Sequence, residues 1–296
     1  MATTTDQVLT DDITGTFTIG GDLTVRRLGF GSMRVSGARN GEGVRDRQAA
    51  RDLVRRVVER GVTLIDTADI YGYGESEEII AEALYPYPEG LLITTKAGYR
   101  PGKMLPGHVT LPPLGRPEHI KEACEGSLRR LRVDVIDLLQ VHTPDPNIPY
   151  DETIGAFVEL QQAGKVRHLG LSNITADQLA FAQALCTVVT VQNRFNAGDR
   201  NSDAVIAACE AHGIGFMPWA PILLPNRRVA TVIGEIATSR GATSQQVALR
   251  WLLQRSPVML PIPGTSQITH ADANIDAAWV ELDASDVARI DEAAGA

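Results

Sequence analysis

Apolar positions along the chain follow two alternating periods. Short runs rich in Val, Ile and Leu at 62–66, 91–95, 135–141, 166–171, 188–192, 215–219 and 258–262 read as strands buried on both faces. Each is followed by segments whose apolar residues recur every three or four positions. These are 75–84, 117–131, 150–163, 176–185, 203–212, the pair 229–240 and 244–254, and 270–278. A helix over 46–60 comes before them, with Leu53, Val54, Val57 and Val58 as its stripe and Gly61 as its stop. A first strand in 27–33, around Leu28, completes eight strand–helix units. Ahead of it, Phe17-Thr18-Ile19, Gly20-Gly21-Asp22 and Leu23-Thr24-Val25 predict a β-hairpin with a Gly-rich turn. Residues 1–15, rich in Thr and Asp, read as a flexible leader.

No Pro/Ser-rich linker and no break in composition divides these units. They predict an α/β fold of one domain over 1–296, a single (β/α)8 TIM barrel with an N-terminal β-hairpin. An open doubly wound sheet would begin a helix with Gly-x-Gly-x-x-Gly. Here Gly29-Phe30-Gly31 has Arg34 where the third glycine belongs. The stretch 97–116 is rich in Gly and Pro and has no helical period, so it reads as a lid or binding loop. Tyr99, Arg100, Lys103 and His108 are its candidates for substrate contact.

Composition narrows the partners. A chain of 296 residues suits one large α/β barrel or two ordinary domains, and 44% hydrophobic with 22% charged content is ordinary for a soluble protein with a sizeable core. A net charge of −8 argues against nucleic acid and anionic membranes and leaves small molecules. No apolar stretch is long enough to span a bilayer, and the acidic start is unlike a signal peptide. Cys124, Cys186 and Cys209 are far apart and imply neither a disulfide framework nor a zinc ribbon. The expectation is a cytoplasmic protein, monomeric or a small homo-oligomer.

In such barrels chemistry gathers at the C-terminal ends of the strands. Those ends carry Asp66, with Tyr71 five residues on; Thr95-Lys96; Gln140-Val141-His142; Ser172-Asn173; Gln192-Asn193; Trp219-Ala220-Pro221; and Ile262-Pro263-Gly264-Thr265-Ser266. Asp66, Tyr71, Lys96 and His142 come from three adjacent strands and should meet at one mouth. An ammonium beside a phenol favours phenolate, and a carboxylate keeps a buried lysine charged. A proton donor with such a tuning pair, plus an imidazole to orient an oxygen, suits protonation of an alkoxide as a carbonyl is reduced, or the reverse. No activated nucleophile is visible. Of six histidines only His142 sits at a strand exit, so no metal site is expected. Plainer roles compete: a helix cap for Asp66 or for Ser172-Asn173, core packing for Trp219, packed thiols for the cysteines.

The motifs Asp66-Thr67-Ala68-x-x-Tyr71-Gly72, Lys96 after Ile93-Thr94-Thr95, and Gln140-Val141-His142-x-Pro144-Asp145 resemble, in order, the signatures of the aldo-keto reductase family. Gly170-Leu171-Ser172-Asn173, Val191-Gln192-Asn193-x-x-Asn196 and Ile262-Pro263-Gly264 extend the resemblance, which covers about Leu28 to Asn274. It implies NAD(P)H-dependent reduction of an aldehyde or ketone, with Tyr71 as general acid/base, Lys96 and Asp66 lowering its pKa, and His142 orienting the carbonyl. It also implies a cofactor held by Gly31, Ser32, Met33, Asp66, Ser172, Asn173, Gln192, Trp219, Ala220, Pro221, Ile262, Gly264, Thr265, Ser266, His270 and Asn274. NADP(H) is favoured and NAD(H) possible, because many NADPH-dependent members carry Lys and Arg where Gly264 and His270 stand here. Within the family the chain looks most like bacterial pyridoxal reductases, on Glu82-Ala83-Leu84-Tyr85-Pro86-Tyr87 among other stretches, which points to a small polar carbonyl. The alternative is a non-catalytic regulatory or structural protein of this fold that binds NADP(H).

Overall fold

The computed structural model describes residues 7–36, 46–102 and 110–295, with the backbone alone of 104–105 and 108–109. In chain order its elements begin with α1 (Asp11–Thr14) and the antiparallel hairpin β1 (Thr16–Ile19) and β2 (Leu23–Arg26). Next come β3 (Phe30–Gly31), α2 (Arg47–Glu59), β4 (Leu64–Asp66), α3 (Glu75–Leu84) and β5 (Leu92–Ala97). A small antiparallel pair, β6 (Met104–Leu105) and β7 (His108–Val109), lies in the long loop ahead of α4 (Pro117–Leu131). Then follow β8 (Ile136–Val141), α5 (Tyr150–Gln162), β9 (Val166–Ser172), α6 (Ala176–Gln183), β10 (Val188–Gln192), α7 (Asp203–His212) and β11 (Gly215–Phe216). Four helices end the chain: α8 (Arg227–Arg240), α9 (Ser244–Arg255), α10 (Ile268–Asp276) and α11 (Ala284–Ala294). No helix among the described residues is long and apolar enough to cross a membrane.

Seven strands form one parallel sheet in the order β3, β4, β5, β8, β9, β10, β11. Residues 258–263 close it into a barrel. On one side Phe216 N donates to Val258 O at 2.8 Å and Leu260 N to Phe216 O at 2.7 Å. On the other, Gly29 N donates to Pro261 O at 3.0 Å and Gly31 N to Pro263 O at 3.2 Å. The expected last strand is thus present as an irregular stave, because Pro261 and Pro263 have no N–H with which to continue a ladder. The seam is tight. A Cβ on Gly31 would sit 2.7 Å from Ile262 O, and one on Gly264 would sit 2.5 Å from Gly31 O. Gly31→Ala is therefore expected to destabilise the fold by about 1–3 kcal/mol, read by thermal denaturation, because backbone on both sides must move.

Two cores follow from strands buried on both faces. The outer one lies between strands and helices and holds Val54, Ile65, Ile80, Leu139, Leu171 and Ile206. The inner one fills the lower barrel with Leu64, Leu92, Leu138, Val189, Met217, Leu260 and Ile262. Ile19 and Val25 of the hairpin complete it, so the hairpin plugs the end where the strands begin. Two residues further along the same faces the interior becomes polar: Asp66 above Leu64, Thr94 and Lys96 above Leu92, Gln140 above Leu138.

Two ends of the chain differ from expectation. Residues 1–6 of the expected leader lie outside the described residues, but 7–15 are docked. Leu9 is fully buried, its N–H donates to Arg60 O, and Arg60 Nε donates to Gln7 O. One leucine in a polar run has no period to betray it. The buried Arg60 guanidinium also reaches Asp272 at 2.5 Å and Asp276 at 2.6 Å, tying α2 to α10. Helix α11 was not anticipated. Asp283 caps it, Ile290 faces the core, and Arg240 of α8 binds Asp283 and Asp286.

Candidate active site

Three strand ends bring the site together. Lys96, fully buried on β5, donates from Nζ to Asp66 Oδ2 at 2.7 Å, to Thr67 O at 2.7 Å and to Tyr71 Oη at 3.4 Å. Its Nζ also lies 5.0 Å from the centre of the Tyr71 ring. Tyr71 opens the 3-10 turn Tyr71–Gly74, in which Gly72, Tyr73 and Gly74 all have positive φ. A Cβ on Gly72 would lie 2.7 Å from Ser36 Cβ and 2.9 Å from Glu75 Cβ, so the glycine lets the turn pack against both. His142 follows β8. Its ring meets Tyr71 edge-on at 5.8 Å and Tyr99 at 4.5 Å.

The electrostatics differ in part from expectation. Burial lowers the basicity of the Lys96 amine, but the Asp66 carboxylate and the Tyr71 oxygen outweigh it, and the ammonium is held above the ordinary lysine value. Burial drives the Asp66 carboxyl up against the pull of Lys96, Gln192 and Gln140. Tyr71 was expected below its ordinary value. Burial raises it instead; Lys96 opposes that shift, and the negative charge of Asp66 adds to it. Lys96 thus favours the Tyr71 phenolate, whereas Asp66 disfavours it directly and holds Lys96 charged. His142 falls well below the usual histidine range through burial and the nearby Lys96 charge, so its imidazole is neutral at neutral pH. Next to the site, burial and the charge of Glu77 push Asp69 up to about 7.

Several of the other expected positions lie on loops that follow neighbouring strands. Asn173 holds a left-handed turn at φ 58°; its Nδ2 donates to His142 O and Ser172 Oγ, and its Oδ1 accepts from Trp219 Nε1 at 2.9 Å. Trp219 is half-buried, with the Arg194 guanidinium 5.7 Å over its ring, which excludes a purely core role. Ala220, before Pro221, is also left-handed, at φ 54°. Such strained residues cost about 1–3 kcal/mol each and gather where a loop must present a ligand site. Gly264 and Thr265 adjoin the seam, Thr265 Oγ1 accepts from Gln267 N, and Ser266 and His270 are exposed at the start of α10. Asn274 is buried further along the same helix, and Ile262 is committed to the inner core. Met33 is exposed beside Gly31.

Ser32 differs. It is fully buried, and its hydroxyl donates to Asp66 O at 2.9 Å and pairs with Ser76 Oγ. Its side chain locks β3 to the Asp66 strand end and is not turned to a ligand. In the long loop, Lys103 and the side chain of His108 lie outside the described residues, and Arg100 is exposed.

A family model described as the aldo/keto reductase family matches residues 27–294. The chain belongs to this oxidoreductase family. It is 40% identical over 273 residues to pyridoxine 4-dehydrogenase of Escherichia coli, covering 90% of this chain and 94% of that one. An uncharacterized oxidoreductase of Schizosaccharomyces pombe is 39% identical over 273 residues, covering 92% and 88%. Among solved structures, an aldo/keto reductase from Klebsiella pneumoniae in complex with NADP and acetate superimposes with a TM-score of 0.77 at 26% identity, covering 94% of each chain.

In this aldo/keto reductase chain the structure adds contacts that strand-end reading missed. Gln192 Nε2 donates to Asp66 Oδ1 at 2.8 Å, so this side chain touches the carboxylate that pairs with Lys96. Glu77, fully buried on α3, accepts from Thr95 Oγ1 and from Arg130 Nε and fastens β5 from behind. In the sequence Glu77 is one of three acidic residues in the first turn of α3, so nothing there marks it as buried.

Proposed function

We propose that this chain catalyses reversible reduction of an aldehyde or ketone to an alcohol with a nicotinamide dinucleotide, with Tyr71 as the acid/base group. One observation carries the reading: the Lys96 ammonium joins the Asp66 carboxylate to the Tyr71 hydroxyl beside a neutral imidazole. The cofactor, when bound, supplies the hydride. The donor set fits such a group. The Trp219 ring is fixed at its edge by Asn173, has Arg194 over the ring and is half-exposed, which suits stacking on a planar ring. Asn173, Ser172 and the free Gln192 Oε1 suit a carboxamide, and the exposed start of α10 suits a phosphate. Neutral His142 donates a hydrogen bond to the substrate oxygen. Tyr71 gives that oxygen its proton, and Lys96 stabilises the phenolate left behind.

Pyridoxal is the first substrate to test, given the resemblance to pyridoxine 4-dehydrogenase. The test is a panel of aldehydes and ketones, pyridoxal included, followed by NADPH or NADH oxidation. Binding of cofactor without turnover of any carbonyl would overturn the reading in favour of a non-catalytic role. NADPH preference is expected to be modest. Gly264 cannot become the family's lysine without a clash with Gly31 O, and His270 stands in place of arginine. His270→Arg, exposed and free of that clash, is expected to raise the NADPH over NADH affinity ratio roughly tenfold, read by cofactor fluorescence titration. An unchanged ratio would remove His270 from the 2′-phosphate site.

A further inference from the structure

We propose that Gln140 is a positioning residue for the acid/base group, its amide holding the Asp66 carboxylate in the orientation that serves Lys96. Gln140 sits on β8, is completely buried and reaches across the barrel. Its Nε2 donates to Thr94 Oγ1 of β5 at 3.0 Å and lies 3.5 Å from Asp66 Oδ1 of β4. Its Oε1 accepts from Thr190 Oγ1 of β10 at 3.4 Å. One side chain therefore links three other strands, and among the described residues the one ionisable group it touches is Asp66. Space for this arrangement is reserved on the strand between. A Cβ on Gly170 of β9 would sit 2.3 Å from Thr190 Oγ1 and 2.8 Å from Gln140 Cγ.

Packing does not require an amide here. On the same face one pleat below, Leu138 fills the barrel with hydrocarbon. A buried amide is unfavourable unless its hydrogen bonds are made, and these are made to the wall of the active site. Asp66 presents its two oxygens to two tasks: Oδ2 to Lys96, and Oδ1 to Gln192 at 2.8 Å and Gln140. With both amides in place the carboxylate has an NH donor on the side away from Lys96 and cannot rotate without losing it. The charged or titratable groups around Asp66 are Lys96 on β5, Tyr71 beyond β4 and His142 beyond β8, with Asp69 on the loop between Asp66 and Tyr71.

The inference rests on the reductase reading for its kinetic test and not for its spectroscopic one. Gln140→Leu keeps the volume and removes the donor; Gln140→Glu brings a second carboxyl towards Asp66. With Gln140→Leu, kcat for the best carbonyl of the panel is expected to fall roughly tenfold or more, with NADPH affinity within about twofold of wild type. The acid limb of the kcat profile should move up by roughly one pH unit, and further in Gln140→Glu, because each change disfavours the Asp66 carboxylate. A merely structural role would lower kcat at every pH and leave the limb in place. Independently of turnover, the Asp66 carboxyl resonance can be followed in protein carrying isotope-labelled aspartate and assigned by its loss in Asp66→Asn. Its titration midpoint should be higher in Gln140→Leu than in wild type. An unmoved midpoint overturns the role of Gln140 whether or not the chain is a reductase. Absence of carbonyl turnover by wild type overturns the reductase reading and leaves the NMR comparison decisive for Gln140.

Discussion

Tyr71→Phe is expected to lower kcat/KM for carbonyl reduction by about 10²–10⁴-fold while leaving fold and cofactor affinity nearly unchanged. The substitution removes one oxygen. The ring keeps its edge contact with His142 at 5.8 Å and its place beneath the Lys96 ammonium at 5.0 Å. The lost hydrogen bond to Lys96 is long, at 3.4 Å, and Lys96 retains Asp66 and the Thr67 carbonyl. Little stability therefore depends on the hydroxyl. Neither of the groups in contact with Tyr71 can replace it as a neutral-pH acid. His142 is held neutral, and Lys96 is committed to its carboxylate. Steady-state turnover with pyridoxal or the best carbonyl of the panel, beside a fluorescence titration of NADPH, separates the two effects. A variant that retains more than about a tenth of wild-type turnover would remove Tyr71 from the chemistry.

Lys96→Met is expected to damage both activity and stability, the latter by about 3–5 kcal/mol near neutral pH. Methionine fills much of the buried volume, but Asp66, only 2% exposed, loses its counter-ion. Two neutral amides cannot replace a full charge. The carboxyl then takes up a proton to fold, and its folded-state pKa rises beyond the already raised value of the wild type. A raised carboxyl pKa contributes stability below the unfolded value and loses it as pH climbs towards the folded one. The gap between Lys96→Met and wild type should therefore be small near about pH 4 and widen towards about pH 8. Urea denaturation at several pH values measures it. Adding Asp66→Asn to Lys96→Met should recover part of the lost stability and none of the activity. A gap independent of pH would mean that Asp66 and Lys96 do not form a charged pair.

Much of this architecture was legible because each layer of the barrel repeats a simple pattern. Strand β10 and helices α3, α4 and α7 lie where hydrophobic periodicity placed them. The ionisable residues at the ends of β4, β5 and β8 do converge. Illegible features share one property: they depend on contacts between residues far apart in sequence. Gln140 looked like part of a strand-end motif until the barrel set it against Asp66, Thr94 and Thr190. Ser32 looked available to a ligand until Ser76 and Asp66 claimed its hydroxyl. The pKa direction of Tyr71 depends on how deeply its hydroxyl is buried, which no neighbouring residue in the sequence reveals. Leu9 and the docked start of the chain depend on Arg60, which in turn depends on Asp272 and Asp276.

The seam has a consequence for how the protein is made. The edge of β3 finds its partner only in 258–263, and Gly31 and Gly264 touch backbone to backbone. The earliest barrel strand to leave a ribosome must therefore wait for almost the last. Until then one sheet edge stands open, with its N–H and C=O groups unpaired and the lower core incomplete. Contacts of such long sequence separation form slowly and late. Any truncation before the 258–263 stave should yield a chain that adheres to itself, not a smaller working enzyme. The loops expected to hold the cofactor flank this last join, so the binding mouth is completed in the same event that completes the barrel.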